Sequence, residues 1–249
     1  MLRYRFLEYL EKQAQRMQGK GFGAKSLRIE VRAALPFLPQ SGGVVLDVGA
    51  NKGNWAREML RAAGPRLDKL YCFEPSHFNP AAIEGIGDSR VTLIKQALSD
   101  IAGTHTLHFN AEGSGIASLA LRRLDHYGVT MDGKEEVSVT TLDAVIAERG
   151  IARIDFAKFD VEGYEFSALR GGEKALTSGL VRALAFELGG CNIDTRVFFR
   201  DFWYFLSERN YAIARINPIG RPKRIERYRE NEESFLLANF VAWRKDFFS

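Results

Sequence analysis

The sequence predicts a doubly wound α/β fold: a seven-stranded, mostly parallel sheet with a terminal antiparallel hairpin, preceded by N-terminal helices and interrupted by a β insertion. Three observations lead there. Short apolar runs recur at residues 44–48, 69–73, 91–94, 154–159 and 181–186, as strands buried on both faces of a parallel sheet require. Segments with helical spacing separate most of them, which is the rhythm of βαβ units. Two closing strands, 211–216 and 235–243, are joined by a polar loop with no long helix, so they should pair antiparallel.

The elements follow in order. Leu2, Phe6, Tyr9, Leu10, Gln13 and Met17 recur at spacings of three and four, an amphipathic helix that ends at the glycine-rich stretch 19–23. A second helix is expected over 27–37. Together they form an N-terminal helical extension, 1–40, ahead of one α/β domain, 41–249. The helix could cap the site, pair two subunits or cover the sheet, and the pattern leaves all three open. Between 96 and 141 the rhythm breaks: 104–109 and 137–140 alternate like strands around the polar, glycine-rich stretch 110–115, an inserted hairpin or flap. After the fifth strand, 195–209 carries Phe198, Phe199, Phe202, Trp203, Phe205 and Leu206, a helix whose role is core packing.

Composition narrows the partners. The chain has 249 residues, enough for a sizeable core, and 35 Lys and Arg against 31 Asp and Glu give only +4, too small an excess to imply nucleic acid or an anionic surface. The two cysteines, Cys72 and Cys191, make neither a disulfide framework nor a zinc motif, and suit reduced thiols in the cytoplasm. No apolar run is long enough to span a membrane, and charges interrupt the first residues too often for a secretory core.

The chemistry concentrates after the first strand. Asp47-Val48-Gly49-Ala50-Asn51-Lys52-Gly53 lies where an open parallel sheet binds ligands. Glycines at 49 and 53 permit a sharp turn and a close ligand approach. The spacing is neither Gly-x-Gly-x-x-Gly nor a P-loop. Asp47 would repel phosphate and attract an ammonium or sulfonium. Glu74, roughly twenty residues past the loop, ends the second strand, where an acid can take both ribose hydroxyls.

These segments resemble the FkbM family of methyltransferases. The matching runs are Leu46 through Gly53, Phe73-Glu74-Pro75, Ala97-Leu98-Ser99-Asp100, Thr141-Leu142-Asp143 and Lys158-Phe159-Asp160-Val161-Glu162-Gly163. The most specific piece is Asp160-Val161-Glu162-Gly163-Tyr164-Glu165, followed by Ala168-Leu169-Arg170-Gly171-Gly172. The resemblance implies a class I methyltransferase, Rossmann-like, with S-adenosylmethionine as donor and S-adenosylhomocysteine as product, commonly an O-methyltransferase acting on a sugar, glycan or polyketide-type hydroxyl. On that pattern Asp47, Gly49, Ala50, Asn51 and Gly53 hold the methionine end, Glu74 with Pro75 the ribose, Ala97 and Leu98 the adenine edge, and Ser118 in the flap completes the set. Phe159 stands where the family often has Ile, a change of packing.

A hydroxyl needs a base or a metal near the fourth and fifth strand ends. Lys158 and Asp160 share one strand face, with Glu162 just beyond and Glu187 on the next strand. Asp160 or Glu187 is the expected base or acceptor orienter, and Lys158 modulates both. The competing reading is an ion-paired strand end. The same acids could take Mg²⁺, although their spacing does not demand it. Of the histidines His77 is best placed, ahead of His105, His108 and His126. Arg221, Lys223, Arg224, Arg227 and Arg229 form either a solvated face or a dock for an anionic acceptor. A nucleic-acid substrate is disfavoured: no Asp/Asn-Pro-Pro-Tyr/Phe follows the fourth strand, and no basic face interleaved with aromatics is evident. A non-catalytic adenosyl-ligand binder is the remaining alternative.

Overall fold

In the computed structural model, residues 2–22, 27–218 and 222–247 are described. The chain forms β1 (Gly43–Val48), β2 (Leu67–Phe73), β3 (Val91–Ile94), β4 (Ala97–Leu98), β5 (Gly103–Phe109), β6 (Gly133–Thr140), β7 (Phe156–Phe159), β8 (Ala183–Leu188), β9 (Tyr211–Arg215), β10 (Lys223–Ile225) and β11 (Ala238–Arg244). The helices are α1 (Leu2–Met17), α2 (Leu27–Ala34), α3 (Asn54–Ala63), α4 (Pro80–Glu84), α5 (Leu142–Arg149), α6 (Glu165–Arg170), α7 (Glu173–Thr177), α8 (Cys191–Thr195) and α9 (Phe199–Ser207).

The main sheet runs β10-β9-β11-β8-β7-β1-β2-β3. β7, β8, β1, β2 and β3 are parallel, and β11 is antiparallel to both neighbours, β8 and β9. This is the expected fold with one strand more. The extra strand, β10, lies inside the segment read as a polar loop. Its Ile225 is buried opposite Ile213 while Lys223 and Arg224 stay exposed, and three residues with one apolar contact leave no periodic signal. The insertion forms its own three-stranded sheet, β4-β6-β5. The aromatic segment 195–209 contains a break: α8 ends at Thr195, Arg196 beyond it has φ 57°, and α9 starts at Phe199.

Two apolar layers hold the sheet. On one face Val31, Trp55, Met59 and Leu60 from α2 and α3 pack on Val45, Phe156 and Ala185; on the other, Leu142, Leu169, Phe199 and Phe202 from α5, α6 and α9 pack on Leu46, Phe159 and Phe186. Phe186 stacks between Phe202 and Phe240, with centroids 4.4 Å and 5.1 Å away. Several family-like motifs belong to this packing. Thr141 caps α5 by accepting from the Ala144 amide at 3.1 Å, and Asp143 accepts from the Lys174 and Ala175 amides at 3.0 Å each, tying α5 to α7. A Cβ on Gly171 would come within 2.0 Å of the Ser99 carbonyl oxygen.

Helix α2 covers the sheet and α1 does not. Among the described residues no helix is long and apolar enough to cross a membrane.

Candidate functional site

Parallel register creates the site. Val48 pairs with Phe73 on one side and Phe159 on the other, and Phe159 pairs with Phe186. The next residue of each strand is then Glu74, Gly49, Asp160 and Glu187, in that order across the carboxyl edge, about 4.8 Å per strand. β1 is where the chain order reverses, so a crevice opens there. Gly49 sits at φ 83°, and a Cβ on it would lie 1.9 Å from the Asp160 carbonyl oxygen. Only glycine meets both demands.

A cavity lies over this edge, at the position where an open α/β sheet takes its ligand. Of the residues singled out from sequence, Gly49, Asn51, Glu74, Pro75, Ala97, Leu98, Ser118, Asp160 and Glu162 line it. Asp47, Ala50, Gly53, Lys158 and Glu187 do not. Asp47 is fully buried and faces the Lys158 ammonium at 3.5 Å, while Gly53 caps α3 in the left-handed conformation. Gln96, Leu107, Ser114 and Tyr164, given no role from sequence, also line the cavity; Leu107 and Ser114 fall in the stretch read as a flap and Tyr164 in a quoted motif.

At the β2 end, Glu74 is 5% exposed. Its Oε2 accepts from the Asn51 amide at 2.8 Å, and its Oε1 accepts from the Ser76 amide at 3.0 Å and the Asn79 side chain at 3.3 Å. Burial raises its pKa, and the Asn79, Ser76 and Asn51 hydrogen bonds oppose the rise. Asn51, at φ 47°, spends its side chain on the flap, donating to the Ser114 carbonyl at 3.0 Å. Ser118 donates to the Glu162 carbonyl at 2.8 Å and accepts from the Ala120 amide at 3.0 Å. Both residues therefore hold the insertion down as the cavity wall. His77 sits outside, its Nδ1 2.5 Å from Glu135.

The β7 and β8 end is charged. Carboxylate oxygens of Asp160, Glu162 and Glu187 lie within 4.8 Å of one another. At an effective dielectric near 20, two such charges repel by on the order of 3 kcal/mol. Burial, with Asp160 and Glu162 adding to it, raises Glu187 well above the usual carboxylate range. Glu162 is pushed up to about 7, chiefly by burial and then by Asp160, against the pull of Arg122, with which it is ion-paired. Burial works against the Lys158 ammonium, but Asp160, whose Oδ2 is 3.0 Å away, and Asp47 outweigh it and hold its pKa above the ordinary value. Lys158 thus stays charged and serves as a counter-ion.

Glu165, quoted only as part of a motif, is fully buried and shapes the Asp160–Gly163 turn. Its Oε1 accepts from the Val161 amide at 2.9 Å and its Oε2 from the Gly163 amide at 2.9 Å; burial pushes its pKa up to about 8. Behind Asp160 a smaller space is lined by Glu30, Trp55, Lys158 and Asn239, and the Asn239 side chain donates to Glu30 at 2.8 Å across α2 and β11. No sequence signal joins residues so far apart. In the basic segment, Arg221 lies outside the described residues, Lys223 is 3.9 Å from Glu232, and Arg224 is 3.2 Å from Glu226.

Residues 47–213 match the family described as the methyltransferase FkbM domain. The 2-O-methyltransferase NoeI of Sinorhizobium fredii is 32% identical over 163 residues, 61% of this chain and 66% of that protein, just under two thirds of the relative's length. Among solved structures, methyltransferase FkbM from Methylobacillus flagellatus superposes with a TM-score of 0.50 at 17% identity, covering 82% of this chain and 44% of that one, a likeness of fold.

Proposed function

The chain belongs to the FkbM methyltransferase family, and from that premise we propose that it moves a methyl group from S-adenosylmethionine to a hydroxyl oxygen of a sugar, glycan or polyketide-type acceptor. One observation carries the reading: the cavity is lined by three carboxylates, Glu74, Asp160 and Glu162, and by no Lys, Arg or His among the described residues. A diphosphate would meet repulsion at both ends of such a space. A nucleoside bearing an ammonium and a sulfonium finds an acid for its ribose at Glu74, bare backbone at Gly49 and acids for its cations at Asp160 and Glu162.

The donor supplies a methyl carbon already activated by its sulfonium, so the protein's tasks are alignment and proton removal. Asp160 and Glu187 lie beside each other on adjacent strands, at the end of the crevice away from Glu74. Either can accept a hydrogen bond from the acceptor hydroxyl, and burial among other acids raises the proton affinity of Glu187, the direction a general base requires. Lys158 pairs with the Asp160 carboxylate from behind, its Nζ 3.0 Å from Oδ2. The catalytic unit on this reading is 41–249, and two buried free thiols fit a reducing cytoplasm.

Calorimetry tests the pocket first. S-adenosylmethionine and S-adenosylhomocysteine should bind while NAD and ATP do not; tight NAD or ATP binding without either would discard the proposal. Donor consumption with a panel of glycans and hydroxylated small molecules then tests turnover against mere binding. A second reading, Mg²⁺ among Asp160, Glu162 and Glu187, is favoured by their mutual approach; activity unchanged by a strong chelator would remove it.

A further inference from the structure

Helix α1 has the pattern of a packing helix and the opposite orientation. Tyr9, Phe6, Met17 and Leu10 form one apolar arc, and all are exposed, from 46% for Leu10 to 61% for Phe6. The groove between α1 and the body is lined on the helix side by Glu8, Glu11, Lys12, Gln15 and Arg16. Of these only Gln15 is partly covered, so the helix stands off the body with its polar side toward the groove and its apolar arc on the opposite side.

Charge selects what covers the arc. Arg5, Lys12 and Arg16, at spacings of seven and four, make a cationic edge along one border, and Arg3 lies on the other. The helix's two acids, Glu8 and Glu11, lie farther round from the arc on the groove side, where Lys12 and Arg16 form the groove's edge nearest the arc. A second copy packed arc to arc would bring cationic borders together with no carboxylate to meet them. Cations beside the apolar arc and acids away from it are what a helix lying in an anionic lipid surface requires.

We propose that α1 docks this protein, lying in the plane of the interface, on a membrane surface that carries anionic lipid headgroups. The helix is tethered close to the acid cluster. The Gly21 and Phe22 amides donate to the Leu237 carbonyl at 2.9 Å and 3.2 Å, two residues before Asn239, the strand partner of Glu187. Leu236 and Phe235 beside this tether are each 42% exposed and extend the apolar surface.

Cosedimentation of the full chain with vesicles tests the proposal. Vesicles of phosphatidylcholine mixed with phosphatidylglycerol should bind it, and phosphatidylcholine alone should bind it much less. Phe6→Asp combined with Leu10→Asp should lower partitioning by more than about tenfold. Changing Arg5, Lys12 and Arg16 to Gln should lower it by about fivefold per charge at low salt. Both variants should keep the circular dichroism spectrum and the nucleoside affinity of the parent. Absence of vesicle binding by the parent, undiminished binding by either variant, or equal binding to both vesicle types would overturn the proposal. So would a dimer in sedimentation velocity that these substitutions dissociate, if vesicles are not bound: the arc would then be a subunit contact.

Discussion

The two ends of the crevice solve the burial of carboxylates in opposite ways. At the β2 end one acid, Glu74, is surrounded by donors: two backbone amides and the Asn79 side chain point at it. At the β7 and β8 end several acids are crowded with two cations, Lys158 and Arg122, and too few amides. The first arrangement fixes a carboxylate in place as an acceptor. The second leaves proton affinity high and variable, which is what proton transfer and cation recognition use. On the proposed function, a shared edge therefore holds a positioning end and a reactive end.

That contrast can be broken at several points, the most severe first. Asp160→Ala should lower kcat by about 10²–10⁴-fold while homocysteine-product affinity changes far less; an active variant would move the chemistry to Glu187. Gly49→Ala should destabilise the fold by about 3 kcal/mol in urea melts, because its Cβ meets the Asp160 carbonyl at a positive φ. Glu74→Ala should weaken nucleoside binding by about 10- to 100-fold with little effect on kcat at saturation; a loss confined to kcat would merge the two ends into one.

The mildest test is pH. Glu162 at about 7 and Glu165 at about 8 both lie above the ordinary 4.5, so the folded chain holds protons that the unfolded chain has released. Their contribution is full below pH 4.5 and lost as pH rises through 7 and 8, at most about 1.4 kcal/mol per pH unit for each group. The ligand-free Tm should accordingly fall between about pH 5 and pH 8. Glu165→Gln should flatten the upper part of that slope, and an unchanged slope would show that Glu165 releases no proton there. Glu74 sits among donors, so Glu74→Gln should flatten it much less.

Much of this was legible in the chain. Strands buried on both faces must be apolar throughout, so 44–48 and 181–186 announced themselves, and a turn requiring positive φ marked Gly49. The Asp160–Gly163 run and Glu187 followed as strand ends. Other features left no local trace. Asn51 and Ser118 line the cavity as expected of ligand contacts, but that their side chains also hold the flap had no local sign. The pairing of Asp47 with Lys158 across neighbouring strands was equally invisible.

The amino-acid sequence by itself determined the order of elements, the doubly wound sheet and the acids at its carboxyl edge, because periodicity and turn chemistry act between neighbours in the chain. Only the tertiary structure decided which acids share a field, that Glu30 meets Asn239, that Ile225 adds an eighth strand, and that α1 turns its apolar arc outward. Those outcomes depend on through-space distance, burial and register between segments up to 209 residues apart, and no local pattern encodes them.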